Sequence, residues 1–456
     1  MGRLGARIVI AGTASGVGKT TVATGLMAAL RSRGLRVAGA KVGPDFIDPG
    51  YHQLATGRPG RNLDPWMSGA AALLALAGRA ADGADVLVVE GAMGLFDGAF
   101  EPPPASTAEV ARLIAGPVVL VVDAASVGAS VAATVAGFAG FDSSVAVAGV
   151  ILNRVGSDSH EFLLREALAP LGIPVLGALR RRSDIAWRSR HLGLVPVIER
   201  PADIRSGLRR LRSVIESDCD VDALLALAQQ APAIAVDPPP APRRQTPPDR
   251  PIRVAVAAGP AFSFVYEDNL EALRQAGAEV VTFDPLVEDR LPDDVRALVA
   301  GGGFPEVYAP ALASNRPLLT DVGRAVAGGL VVWAECGGML WLSETLDTHR
   351  LASVFPCVAT MGKRLTLGYR RGTFAVDNPL GPAGTPWRGH EFHYSQVEPA
   401  GDALTWVGRH GAGSGGFATR SVLASYIHLH LGAAPELAEH FVAATAASSA
   451  RWDWVR

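Results

Sequence analysis

Residues 11–21, AGTASGVGKTT, place three glycines, a lysine and three threonines between an apolar run and a helical stretch. That order suits a phosphate-binding loop. Glycines let backbone N–H groups approach phosphate oxygens, and the helix that follows turns its positive end toward the same anion. Gly12, Thr13, Gly16 and Gly18 are the expected cradle. Lys19 would reach the outer phosphates, Thr20 would offer its hydroxyl to Mg²⁺, and Thr21 stands beside it. The strict spacing asks for glycine at position 13, where this chain has Thr13, with Gly12 one place early. The strand–loop–helix context therefore carries the expectation of nucleotide binding.

Two further segments set acids after apolar runs: residues 41–52, KVGPDFIDPGYH, and residues 89–98, VEGAMGLFDG. In an open parallel sheet, ligands bind beyond the carboxyl ends of the strands. Lys41, Asp45, Asp48, Glu90 and Asp97 are thus expected near the phosphate loop. Mg²⁺ takes one or two carboxylates and completes its shell with phosphates and water. Asp45 and Glu90, with Thr20, are the expected metal ligands; Asp48 and Asp97 are expected to face the acceptor substrate; Lys41 joins the nucleotide-binding set. One such acid alone would read as a helix cap or turn residue. Four beside glycines at two strand ends argue for chemistry. Asn153, in VILNRV, ends another apolar run, where its amide could read adenine or simply brace a turn.

A third group lies late in the chain. Cys336, in WAECGGMLWL, separates two apolar runs and is followed by two glycines. A thiol nucleophile needs a base to form thiolate and backbone N–H donors for the oxyanion. GGGFPE brings Gly303, the residue after the cysteine is Gly337, and SYIHLHLG brings His428 and His430. Gly303 and Gly337 are the expected oxyanion donors, with Cys336 and His428 as the catalytic pair on a strand-to-helix elbow. The elbow's usual glycine two places before the nucleophile is Ala334 here, small enough to substitute.

These groups must be held by an ordered scaffold. RIVIAG, RVAGAKVG, DVLVVEGAMG, PVVLVVDA and VAGVILNRV are short runs apolar on both faces, alternating with helical stretches such as TTVATGLMAALRSRG, stopped at Gly34. This predicts a doubly wound, mostly parallel α/β domain over 1–228. A proline-rich stretch over 229–252 reads as an extended linker. A second α/β domain over 253–456 begins similarly, then turns to alternating segments that read as antiparallel strands: KRLTLGYRRGTFAV, WRGHEFHYSQVE and GFATRSVLASYIHLHL.

Bulk properties narrow the function. Net charge is −2, which argues against a nucleic-acid binder. No apolar run approaches the ~20 residues of a membrane span, and the N-terminus does not read as a signal peptide. The three cysteines are widely spaced and predict a reducing, cytoplasmic setting rather than a disulfide framework.

Together, GTASGVGKTT, KVGPDFIDPGYH, RPGRNLDPWM and VEGAMGLFDG resemble the N-terminal half of cobyrinic acid a,c-diamide synthases. AFSFVYEDNLEALRQAGAEVVTFDPL, GGGFPE, ECGGMLWL, GHEFHYS and SYIHLHL resemble the C-terminal half of that family, a class I glutamine amidotransferase domain of the cobyric-acid type. The first half is also similar to dethiobiotin synthetase. The resemblance implies a ligase of cobalamin biosynthesis with ATP and Mg²⁺. Glutamine would be hydrolysed at Cys336 through a thioester, and ATP would phosphorylate corrin carboxylates a and c. Ammonia would then displace phosphate to leave amides. It implies a corrinoid polycarboxylate, glutamine and ATP as partners, and is compatible with a homodimer. His428 matches the family's catalytic histidine. Two places later, where ordinary class I enzymes have an acid, stands His430, which leaves a Cys–His dyad or an unidentified third member. His390, Glu391 and His393 in GHEFHYS are expected at the substrate or the interface. Alternatives are the same chemistry on nickel sirohydrochlorin or other corrin carboxylates. A different class would be a regulatory ATPase fused to an inert amidotransferase-like domain. Ala14, where partitioning ATPases carry an extra loop lysine, argues against the last.

Overall fold

The computed structural model describes residues 2–99, 105–182, 189–190, 193–237 and 252–448. It divides into two compact units, Met1–Pro239 and Pro240–Arg456. Most of the expected linker, 238–251, lies outside the described residues. Ile234–Val236, inside the span read as linker, form a strand paired with Gly2–Leu4 in the first unit.

The first unit is built on seven parallel strands: β1 (Arg7–Gly12), β2 (Val37–Val42), β3 (Arg61–Leu63), β4 (Val86–Glu90), β5 (Val118–Asp123), β6 (Val147–Val155) and β7 (Val175–Arg180). Their order is β3-β2-β4-β1-β5-β6-β7. Successive residues of β1 feed opposite layers: Val9 and Ala11 join one buried cluster, Ile8 and Ile10 the other. Helices cover both faces, so the strands read as unbroken apolar runs. The switch in strand order falls at central β1, and the phosphate loop leaves its carboxyl end.

Helix Lys19–Ser32 begins after Gly18, which has φ 102°, a left-handed conformation that costs glycine nothing. It ends before Gly34, also left-handed at φ 86°. Helix Asp48–Thr56 is started by Asp45, whose carboxylate accepts from the Ile47 and Asp48 N–H groups at 2.7 and 2.9 Å.

The second unit has a six-stranded sheet made of β8 (Ile252–Ala257), β9 (Ala278–Phe283), β10 (Ala297–Ala300), β11 (Val331–Glu335), β14 (Phe417–Thr419) and β15 (Val422–Ser425). The order is β9-β8-β10-β11-β15-β14, and only the edge pair β14–β15 is antiparallel. A second sheet is centred on the long hairpin β12 (Val358–Phe374) and β13 (Pro386–Glu398). It carries the expected antiparallel segments. GFATRSVLASYIHLHL meets the antiparallel expectation where Phe417–Thr419 pairs with Val422–Ser425 and where His428–Leu429 pairs with β13, and departs from it on one side of Val422–Ser425. Val422–Ser425, buried throughout, pairs parallel to β11, because its continuous apolar run suits the covered sheet. The short strand His428–Leu429 then crosses to the other sheet and pairs with β13, placing His428 opposite His390.

Candidate functional site

The loop after β1 wraps around Lys19. The Lys19 ammonium donates to the carbonyls of Ala14 at 2.9 Å and Met93 at 2.5 Å. A Cβ on Gly12 would stand 2.6 Å from Val17 and 3.0 Å from the Lys19 stem, so glycine is needed for the lysine to pass. Thr13 and Gly16 lie in the loop; Thr20 and Thr21 open the helix. Asn153 braces this loop from the end of β6: its amide N–H donates to Val17 O at 2.8 Å, and its carbonyl accepts from Arg154 N–H at 2.9 Å. The Arg154 guanidinium adds a bond to Gly16 O at 2.8 Å. The loop's glycines bring this amide within reach of the backbone.

The acids converge around Thr20 and Lys41. The Thr20 hydroxyl donates to Glu90 Oε1 at 2.6 Å, and Asp48 Oδ2 lies 3.4 Å away. The Lys41 ammonium bridges Asp48 at 2.7 Å and Glu90 at 2.8 Å. His52 Nε2 meets the other Glu90 oxygen at 2.7 Å. Asp48, rather than Asp45, therefore stands beside Thr20 and Glu90, since one Asp45 oxygen is used to cap the helix. Asp97 sits further out, accepting from Gly94 N–H at 2.8 Å.

The electrostatics follow from burial. Burial opposes ionisation of Glu90, but Lys41 and His52 outweigh it and hold the carboxyl well below the usual range. Burial, then Asp45 and Glu90, push Asp48 up against the pull of Lys41. Lys41 is held charged by Asp48, Glu90 and Asp45 despite its burial. Burial, with Lys41 nearby, lowers Lys19 to about 8, partly offset by Glu90, Asp48 and Asp97. Among the described residues no cluster of three or more His, Cys, Asp or Glu forms a metal site by itself. Thr20, Glu90 and Asp48 fit a cation that takes few protein ligands and otherwise phosphate and water.

In the second unit, β11 turns sharply into helix Gly337–Leu342 through Cys336 at φ 46°, ψ −104°. This is a strained, left-handed position for a non-glycine residue, as a nucleophile elbow requires. The turn is possible because Gly338 packs on β10: a Cβ there would lie 2.0 Å from Ala300 O. Gly337 approaches Gly303, whose N would be 3.1 Å from an added Cβ, so the two expected oxyanion donors are neighbours. Burial, then Glu306, pushes the Cys336 thiol up to about 12, with the Gly337 N–H opposing. The thiol is protonated at neutral pH and needs a base.

His428 is buried against the glycine loop; a Cβ on Gly302 would meet its Cε1 at 2.6 Å. Its Nδ1 stands 3.3 Å from Glu335 Oε2. His390 stacks on it with ring centres 5.0 Å apart, and His390 Nε2 pairs with the Tyr266 hydroxyl at 2.8 Å. Burial holds His390 well below its ordinary value, hence neutral. His430 lies 3.6 Å from Asp268, away from the role an acid would fill. Glu391 pairs with Arg370 and lies 3.5 Å from His393, which stacks on Tyr426.

Residue-level reading missed His52 and Glu335. A signal existed for each: His52 follows Asp48 by one helical turn, and Glu335 immediately precedes the nucleophile.

Comparison with known proteins agrees with both halves. Residues 8–195 match the family model described as CobQ/CobB/MinD/ParA nucleotide binding domain. Residues 253–436 match the CobB/CobQ-like glutamine amidotransferase domain. The chain is 48% identical to hydrogenobyrinate a,c-diamide synthase of Streptomyces coelicolor, over 96% of each chain. It is 44% identical to the enzyme of that name from Mycobacterium tuberculosis, over 97% of this chain and 99% of the relative. Against cobyrinate a,c-diamide synthase of Dehalococcoides mccartyi it is 41% identical, over 96% and 97%.

Proposed function

Because the chain belongs to the cobyrinate and hydrogenobyrinate a,c-diamide synthase family, we propose that it is a glutamine-dependent ligase of cobalamin biosynthesis. It converts the a and c side-chain carboxylates of cobyrinic or hydrogenobyrinic acid into amides and consumes ATP. The observation that carries this reading is the pairing, on one chain, of a cysteine elbow, whose preceding residue Glu335 meets His428, with a phosphate loop facing buried acids.

The chemistry needs both. His428 takes the Cys336 proton, and the thiolate adds to the γ-carbonyl of glutamine. The oxyanion is met by the Gly303 and Gly337 N–H groups. Ammonia leaves with the proton returned by His428, and water hydrolyses the thioester to glutamate. In the first unit, a corrin carboxylate attacks the γ-phosphorus of ATP, giving an acyl phosphate and ADP. Oxide is a poor leaving group and phosphate a good one, so ammonia then displaces phosphate and leaves the amide. Lys19 and the loop N–H groups hold the transferring phosphates. Thr20 and Glu90, with Asp48 beside them, would hold Mg²⁺, which supplies charge neutralisation at the phosphates. Asp97, on the outer rim, would face the acceptor.

Cys219, Cys336 and Cys357 are all free thiols, in keeping with a cytoplasmic setting. Among the described residues no helix is long and apolar enough to cross a membrane. Homodimerisation belongs to the same proposal, with sedimentation velocity as its test. Incubation with glutamine, MgATP and each corrinoid acid, followed by mass spectrometry, tests the reaction itself. Two successive acid-to-amide mass changes are expected, and glutamate release without them would sink the proposal. Cys336→Ser is expected to abolish use of glutamine and keep amidation from ammonium.

A further inference from the structure

We propose that Glu335, the residue before the nucleophile, is the positioning carboxylate of the glutaminase centre and holds the His428 imidazole in the tautomer that accepts the Cys336 proton. The inference rests on the glutaminase reading above and supplies the member that the place two residues after His428 does not.

Both Glu335 oxygens are engaged. Oε1 accepts from the Leu429 N–H at 2.8 Å, which fixes the carboxylate to the strand that carries the histidine. Oε2 faces His428 Nδ1 at 3.3 Å. Glu335 is 4% exposed and His428 is 2% exposed, so water competes little for this contact. An Nδ1–H directed at a carboxylate makes Nε2 the unprotonated nitrogen that can accept a proton, and the same carboxylate stabilises the imidazolium once the proton arrives.

The elbow explains how two consecutive residues serve one ring. Along a strand, neighbouring side chains point to opposite faces. The left-handed conformation of Cys336 ends that alternation right after Glu335. The other groups around the ring are otherwise occupied. Stacked His390 is held neutral and paired with Tyr266, Asp268 faces His430, Glu391 faces Arg370, and Glu306 bears on the Cys336 thiol.

The test compares Glu335→Gln with Glu335→Asp in the full-length enzyme. The glutamine side chain keeps an acceptor for Leu429 N–H, but its amide N–H turned toward Nδ1 favours the wrong tautomer. Glutaminase kcat is expected to fall about 100-fold in E335Q, with KM for glutamine within about threefold and ammonium-driven amidation unchanged. E335D is expected to recover part of the loss. A second readout is the pH profile of Cys336 alkylation by iodoacetamide, with Cys336→Ser as background; it should move upward by about one pH unit in E335Q. Wild-type kcat with an unmoved alkylation profile would overturn the proposal. So would equal losses in E335Q and E335D with an unmoved profile, which would assign Glu335 to holding Leu429 alone. If Cys336→Ser itself kept glutaminase activity, the glutaminase reading would fail instead, so the two failures are distinguishable.

Discussion

The Thr20 hydroxyl and the Glu90 carboxylate, 70 positions apart in the chain, meet at 2.6 Å. The contact joins the first turn of the phosphate-loop helix to the end of β4, and Lys41 at 2.8 Å neutralises the same Glu90 oxygen. A fully buried carboxylate is kept ionised this way, next to the hydroxyl expected to ligate the metal.

Glu90→Gln removes that charge while keeping a hydrogen-bond partner for Thr20. ATP-driven amidation should fall at least ~100-fold with either glutamine or ammonium as nitrogen source. Glutamine hydrolysis by the second unit should stay measurable. Glu90→Ala should in addition lower unfolding stability by about 3–5 kcal/mol, because Lys41 keeps its buried charge and loses a partner. Amidation assays and denaturant titration read the two effects separately.

Asp45 and Asp48 should separate in their metal dependence. Asp48→Asn is expected to raise the Mg²⁺ concentration for half-maximal activity well above that of Asp45→Asn, since Asp48 is the acid beside Thr20. Asp45→Asn should act mainly through its helix cap, at about 1 kcal/mol of stability or less. A Mg²⁺ titration of both variants decides; a larger shift in Asp45→Asn would return Asp45 to the metal.

Nucleotide affinity should depend on pH through Lys19. Its value is lowered to about 8, so the ammonium is present below that pH and is lost above it. A phosphate anion binds the charged form. The sign is therefore fixed: Kd for ATP should be flat below pH ~8 and rise with pH above it, by at most about tenfold per unit. Lys19→Arg should flatten this rise. Calorimetric titration from pH 7 to 9.5 measures it.

Gly338→Ala tests the elbow by geometry alone. The new methyl would lie 2.0 Å from the Ala300 carbonyl, which is strand backbone and cannot swing aside. A cost of at least ~1–3 kcal/mol and loss of glutaminase activity are expected, read by thermal unfolding and glutamate release. Gly137→Ala, with nothing within 4 Å of its Cβ and a helical position, is the control expected to be neutral or stabilising.

What could be read directly from sequence was local or periodic. The phosphate loop is one continuous stretch, and its place between a strand and a helix marks where backbone can approach an anion. The covered parallel sheets were legible because both faces of β1 and β8 are buried, which leaves unbroken apolar runs. Cys336 stood out as a candidate only through GGGFPE before it and His428 after it, together with its two following glycines.

Tertiary structure decided the partnerships. Asp45 and Asp48 are both acids after β2, and only the folded turn shows that one caps the helix while the other reaches Thr20. His52 gained a role only when its helix packed beside β4 and met Glu90. Asn153 was placed against the loop because Gly18 has no side chain to keep it away: a Cβ there would stand 2.2 Å from its amide nitrogen. Glu335 and His428 are 93 positions apart, and no spacing rule links them. Residue types and local order determine which chemistry a chain can carry. Which carboxylate faces which base depends on strand register and loop packing, and those are settled only when distant segments are buried together.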